Sequence, residues 1–427
     1  MSTKKSHPGL KKFLLVLAGI VFALAAVYAV YRVASGAFDR RYSASSALPE
    51  SSVSEEPSSS ASLPESSAIS SEPVSSVPAE PQIPAVEGIF SAYGKQAWEK
   101  MQTMTLKEKV GQVFLFRCPD TGAAETAAKY QPGGYCLMAS NFQGQTTAQV
   151  QNLLKSVQQA SKINMILTCD EEGGTVVRVS KFPALAKTPF RSPQSVFRSG
   201  GMEGITNDTV KKAKLLKSLG LNLNLAPVSD VSTNQSDFIY ARSFGKDAEK
   251  TAKFVETSVK AYNSQKFSST LKHFPGYGNN KDTHTGIAYD NRSYETFEKS
   301  DFLPFEAGIQ AGAQCVLVSH NIVKSMDAQE PASLSPKVHQ ILRDKLGFTG
   351  IIITDDLVMG AIRDFTDGKN PCKSAFLAGN DMLLSSNIDE DFSALYSAVL
   401  DGSISETRLN ESVQRVLAWK YTMGIVS

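Results

Sequence analysis

From about Val86 to Ser427 the chain alternates short apolar runs with longer amphipathic segments, and this alternation limits its possible folds more than any other feature. Strands are expected at Gln112–Phe116, Gly134–Met138, Met165–Cys169, Leu221–Ala226, Ser268–Leu271, Cys315–Val318, Gly350–Ile353 and Asp381–Leu384. Helical periodicity fills the gaps over Thr146–Ser161, Asn207–Leu219, Asp247–Gln265, Tyr294–Ala311, Pro336–Leu346 and Cys372–Ala378. Glu406–Met423 is among the helices that follow the last strand. Several strands are unbroken apolar runs, which suits parallel strands covered on both faces. Eight strand–helix repeats over ~340 residues fit a single α/β domain, a (β/α)8 TIM-type barrel. A doubly wound open sheet is the alternative, but no G-x-G-x-x-G or phosphate-loop pattern follows any of the strands.

The chain before Val86 reads differently. Lys4, Lys5, Lys11 and Lys12 precede an uncharged, mostly apolar run from Phe13 to Tyr31 that Arg32 ends. As a helix this run reaches about 29 Å, close to the hydrocarbon thickness of a bilayer. It is longer than the apolar region of a cleaved signal peptide. The leading lysines favour a cytoplasmic N-terminus. Residues 1–41 are therefore expected to form a cytoplasmic stub and a single-pass membrane anchor spanning about 13–31, with secretion after cleavage as the alternative. Residues 42–85 are Ser, Pro, Glu and Ala with little else. Such a stretch cannot bury enough apolar surface to offset its ordering entropy, and it is expected to be a disordered linker. The folded domain, 86–427, then lies outside the cytoplasm.

Charge and cysteine usage exclude several classes. Lys and Arg (44) nearly balance Asp and Glu (42), so no basic excess points to nucleic acid. The five cysteines are scattered, odd in number and without C-x-x-C spacing. That argues against a disulfide framework or a zinc site and for buried free thiols.

A parallel barrel gathers its chemistry just beyond the C-terminal ends of its strands. Asp170 follows the third expected strand, His273 the fifth, His320 the sixth and Asp355 the seventh. The stretch LKHFPGYGNNKDTHTGIAYDNR, Leu271 to Arg292, ends a strand in Lys272-His273. It then enters a loop marked by Pro275, Gly276 and Gly278 and sets Asp282 two residues before His284. A histidine with its ordinary pKa of ~6.5, oriented by a carboxylate, can both give and take a proton. An aspartate at the mouth of a buried strand must be paired, hydrogen-bonded or used, and Asp355 reads as a carboxylate nucleophile. Its neighbour Asp356 reads as support for the loop. Asn222 and His320 also fall at positions suited to contacts.

The pieces KHFPGYGNNKDTH, DEEGGTVVR (Asp170 to Arg178), NLNLAPVSDV (Asn222 to Val231), ARSFG (Ala241 to Gly245), PASLSPKVHQILRDKLGFTGIIITDDLVMGAI (Pro331 to Ile362) and AGNDMLL (Ala378 to Leu384) occur in the chain. With TLKEKVGQVF near Thr105 they make the region from Val86 to Ser427 resemble glycoside hydrolase family 3, in particular its β-N-acetylglucosaminidase (β-hexosaminidase) branch. The resemblance implies a retaining, exo-acting glycosidase that works through a covalent glycosyl-aspartate. In it Asp355 is the nucleophile and His284 the acid/base, tuned by Asp282. Asp170, Arg178, Arg242, Lys272 and His273 form the sugar-binding set. It implies a GlcNAc-containing carbohydrate substrate from peptidoglycan or chitin, a monomeric catalytic domain, and no metal or cofactor. A β-glucosidase, a β-xylosidase or a glycoside phosphorylase is the alternative within the class. An inactive wall-binding protein, or a metal-dependent hydrolase built on Asp282, His284, His273 and Asp355, is the alternative outside it. The chain departs from the pattern at one place. Where the commoner loop reads G-H-G-D-T, this sequence has Gly276-Tyr277-Gly278-Asn279-Asn280.

Overall fold

The computed structural model describes residues 86–426. Eight parallel strands form its centre. They are β1 (Phe114–Arg117), β2 (Gly134–Cys136), β3 (Ile166–Cys169), β4 (Leu223–Asn224), β5 (Ser268–Phe274), β6 (Cys315–Val318), β7 (Ile351–Thr354) and β8 (Leu383–Ser385). Their order is β8-β1-β2-β3-β4-β5-β6-β7. Phe114 of β1 registers with Leu383 of β8, and Val316 of β6 with Ile352 of β7. The last seam is narrow. Ile353 bridges Met382, and the N–H groups of Asp381 and Met382 donate to the Ile352 carbonyl at 2.8 and 3.1 Å. The result is a nearly closed parallel barrel of the TIM type.

Local chemistry explains the elements. The run Ile351-Ile352-Ile353 is wholly buried, and β-branched side chains suit a pleated surface covered on both faces. Two of the helices begin at reciprocal caps. The Thr105 hydroxyl accepts the Glu108 N–H while the Glu108 carboxylate takes the Thr105 N–H, and Thr146 and Gln149 repeat the arrangement. Each pair satisfies two N–H groups that a helix start leaves without partners. At the N-terminal face Asp381 accepts from Arg343 at 2.7 Å, from Arg415, and from the Ile352 N–H at 2.9 Å. That end of the barrel is tied shut by charge, which leaves the opposite face for chemistry. All five cysteines are buried and free.

Several expected boundaries move. β5 runs three residues past Leu271, so Lys272 and His273 lie inside the strand, all seven of whose residues are buried. β4 is only Leu223–Asn224, β1 begins at Phe114 rather than Gln112, and β8 is displaced to Leu383–Ser385. The helix expected from Asn207 begins at Pro193 and is broken by a non-helical Gly201 with φ 58°. A Gly pair inside a helix weakens the periodic signal. The helices expected over Tyr294–Ala311 and Pro336–Leu346 each contain a π-turn, Phe297–Asp301 and Ile341–Lys345. The expected anchor (1–41) and linker (42–85) lie outside the described residues. Among the described residues no helix is long and apolar enough to cross a membrane.

Candidate active site

The C-terminal mouth of the barrel opens into a cavity of about 500 Å³. Its deepest feature is a charged cluster. Lys272, inside β5, extends its ammonium to Asp170 Oδ1 at 2.7 Å and Glu172 Oε1 at 2.6 Å, both beyond the end of β3. Arg242 grips Glu172 with Nε at 3.0 Å and Nη2 at 2.7 Å, and Arg178 Nη2 stands 3.5 Å from Asp170 Oδ2. Burial pushes the pKa of Glu172 up, but the charges of Lys272 and Arg242 override it and hold the carboxyl well below the ordinary range. Burial likewise pulls Lys272 down, and Asp170 and Glu172 more than restore it. Each charge is kept buried by its opposite.

His273 completes this wall. Its Nδ1 lies 2.8 Å from Asp230 Oδ2, its Nε2 3.1 Å from Arg242 Nη2, and its own N–H donates to Asp230 Oδ2 at 3.1 Å. Both ring nitrogens are thus engaged, which leaves neither for a metal. Among the described residues no group of three or more His, Cys, Asp or Glu is placed to hold one.

Asp355 stands across the cavity, one residue past β7. Its N–H donates to the Val318 carbonyl at 3.0 Å, and its Oδ1 accepts the Asp356 N–H at 2.9 Å. Burial raises its pKa. The imidazoles of His320 and His273 and the Asp356 N–H lower it by more, so it sits below the ordinary aspartate range. Asp356 turns away: Oδ2 accepts from the Ser386 hydroxyl at 2.5 Å, and burial pushes its carboxyl up. His320 braces the same turn. Its Nε2 donates to the Asp356 carbonyl at 3.1 Å and its Nδ1 faces the Ser333 hydroxyl at 2.7 Å. Burial lowers its pKa, which favours the neutral ring that accepts from Ser333.

His284 reaches the cavity from the loop after β5. Its side chain is 61% exposed, and Nδ1 lies 2.7 Å from Asp282 Oδ1. A carboxylate only accepts, so Nδ1 donates to it and Nε2 is the nitrogen left to exchange a proton. The base of the loop is held by Arg292, which binds Asp290, Asp301 and the Gly276 carbonyl at 2.7, 2.9 and 3.1 Å. Its tip rests on the turn after β7. A Cβ added at Gly360 would lie 2.8 Å from the His284 carbonyl oxygen, so the two loops approach backbone to backbone.

Of the residues singled out in the sequence, Asp170, Arg178, Arg242, Lys272, His273, His284 and Asp355 all line this one cavity. Asp282 stands behind His284. Asn222 does not take part: its side chain accepts the Leu167 N–H at 2.9 Å and donates to the Met165 carbonyl at 3.1 Å, tying β3 to β4. Sequence reasoning missed Glu172 and Asp230. It also missed Arg117 and Arg363, exposed at the mouth on the β1 and β7 sides. Glu172 sat in plain view in DEEGG, three residues past β3, and Asp230 in PVSD, six residues past β4; the signal for each was an acid in the segment that follows a strand.

The family model for the glycosyl hydrolase family 3 N terminal domain matches residues 105–419. Beta-hexosaminidase A of Pseudoalteromonas piscicida is 29% identical over 327 residues, covering 70% of this chain and 54% of that protein. The chain therefore spans little more than half the length of that relative. A beta-hexosaminidase of Xylella fastidiosa is 33% identical over 261 residues, covering 59% of this chain and 75% of that protein. Among solved structures, a family 3 beta-N-acetylglucosaminidase from a Paenibacillus species superposes with a TM-score of 0.70 at 28% identity, over 76% of this chain and 63% of that one. With its family match extending from the helix before β1 into the last helix, the chain belongs to glycosyl hydrolase family 3.

Proposed function

We propose that the protein is a retaining exo-β-N-acetylglucosaminidase. The observation that carries this reading is that Asp355 and His284 line one cavity, the first held ionised and the second oriented by Asp282. In the first step a carboxylate oxygen of Asp355 bonds to the anomeric carbon as the bond to the leaving oxygen breaks and His284 Nε2 protonates that oxygen. In the second, Nε2 takes a proton from water, the water oxygen bonds to the anomeric carbon, and Asp355 departs. Two inversions at one carbon retain its configuration. Asp170, Lys272, Arg178, Arg242 and His273 present a polar wall for the hydroxyls and acetamide of one terminal sugar. The hexosaminidase names of the relatives support GlcNAc as that sugar.

The substrates we infer are GlcNAc-terminated fragments of peptidoglycan or chitin. The apolar run at 13–31 and the Ser/Pro/Glu-rich 42–85 support a tethered enzyme acting outside the membrane. Trapping with a slow fluorinated glycosyl donor followed by peptide mass mapping tests the chemistry. The expected label falls on the peptide containing Asp355; a label elsewhere overturns the assignment. Phosphorolysis is the second reading. Two observations favour it: the acid/base is an imidazole, which repels phosphate less than a carboxylate does, and Arg117 and Arg363 line the mouth. Cleavage of an aryl β-GlcNAc with and without phosphate decides between them, the hydrolase giving no sugar phosphate.

A further inference from the structure

We propose that Tyr277 is a positioning residue for the acid/base: through Thr283, its hydroxyl fixes where His284 stands over the cavity. The proposal rests on the reading of His284 given above. Tyr277 is also the first position at which the loop departs from the G-H-G-D-T pattern.

A side chain as exposed as that of His284 is not held by packing. Its bond to Asp282 orients the ring within the loop, but Asp282 rides the same loop, so the pair would move together unless the loop were tied to the barrel. Thr283, between them, supplies the ties. It is fully buried. Its carbonyl accepts the Ala361 N–H at 3.0 Å, on the nucleophile side of the cavity. Its hydroxyl lies 2.5 Å from the Tyr277 hydroxyl. Tyr277 is itself fixed to the frame. Its N–H donates to Asp230 Oδ1 at 2.7 Å, and its ring stands edge-on to His273 with centroids 5.0 Å apart. The Asp230 carboxylate therefore holds both the sugar-side imidazole and the brace of the acid/base loop. Burial first, and Asp355 after it, push the Tyr277 phenol well above its ordinary value. It stays a neutral hydroxyl, able to share a hydrogen bond with another hydroxyl.

The experiment compares Tyr277→Phe, Thr283→Val, the double variant and Thr283→Ser on two substrates. One is a GlcNAc disaccharide, whose leaving oxygen needs a proton; the other is a dinitrophenyl β-GlcNAc, whose leaving group does not. kcat/KM reports the bond-breaking step for both. A misplaced acid costs only the first substrate, so each single variant should lower the disaccharide-to-dinitrophenyl ratio about tenfold. The double variant should lose no more than the worse single, and Thr283→Ser should restore the ratio. Equal losses on both substrates, or losses that multiply in the double variant, overturn the proposal and leave Tyr277 a packing residue. Wild-type protein inert to both substrates overturns the glycosidase reading beneath it.

Discussion

Nη2 of Arg242 lies 3.1 Å from Nε2 of His273, and because a guanidinium only donates, that ring nitrogen accepts. The ring proton then sits on Nδ1, facing Asp230 Oδ2 at 2.8 Å. Asp230 is therefore an obligate acceptor, and it takes the Tyr277 N–H on its other oxygen.

Replacing Asp230 by Asn tests that demand. The amide offers one accepting oxygen where two are used, so its NH2 must face an N–H donor on one side or the other. A buried donor left without an acceptor costs about 1–3 kcal/mol. The expected outcome is a lower melting temperature together with a reduced kcat/KM. Unchanged values of both would show that the carboxylate is dispensable.

The apolar skeleton was legible and the polar interior was not. β6 runs from Cys315 to Val318, the range its apolar run announces, because a strand buried on both faces is a local signal. Lys272 and His273 end that signal in β5, yet the strand continues through them. The burial of Lys272 is made tolerable by Asp170 and Glu172, a hundred residues earlier in the chain, and that of His273 by Asp230, about forty residues earlier. The DEEGG motif shows the same limit. Three acids in a row look alike as letters, but Glu171 folds back onto the N–H groups of Arg178, Val179 and Ser180 at 2.9, 2.7 and 3.2 Å. Glu172 faces Arg242 and Lys272. Only the closed topology sorts one from the other.

Asp355→Asn should be nearly inactive. An amide cannot form the glycosyl ester, and loss of a nucleophile costs roughly ten-thousandfold or more in kcat. Azide added to Asp355→Ala should restore turnover with inverted configuration, since a small anion fits where the carboxylate was removed. In the wild type the carboxylate must be ionised to attack. Because its folded pKa is depressed, the acid limb of kcat/KM should lie below the ~3.9 of an ordinary aspartate. A retained product from the azide reaction would count against Asp355 as the attacking group.

His284→Ala removes the proton donor but not the nucleophile. kcat/KM for a disaccharide should fall by about a hundredfold to ten-thousandfold, while a dinitrophenyl glycoside loses far less. Asp282→Asn keeps the ring but replaces its carboxylate acceptor, and should fall between wild type and His284→Ala on the disaccharide. If both substrates decline equally in His284→Ala, the proton must come from another group.

Far from the site, Lys420 carries a stability prediction with a definite sign. Its side chain is fully buried in the last helix and donates to Gln112 Oε1 at 2.7 Å. Burial pulls its pKa down to about 7, against ~10.4 for the unfolded chain. Between these values the unfolded state binds the extra proton, so stability rises with pH across that window and is lowest below it. Melting temperature should therefore climb between about pH 7 and pH 10 for this group. Lys420→Met removes the titrating group and fits an unbranched apolar chain into the same space. It should flatten that slope and raise the melting temperature most at pH 7 and below. Gln112 keeps its Nε2 bond to the Gln131 carbonyl at 2.9 Å, so the loss of one partner at Oε1 is the only opposing cost, about 1–3 kcal/mol. A variant whose melting temperature still climbs as steeply as the wild type's over that range would assign the slope to another group.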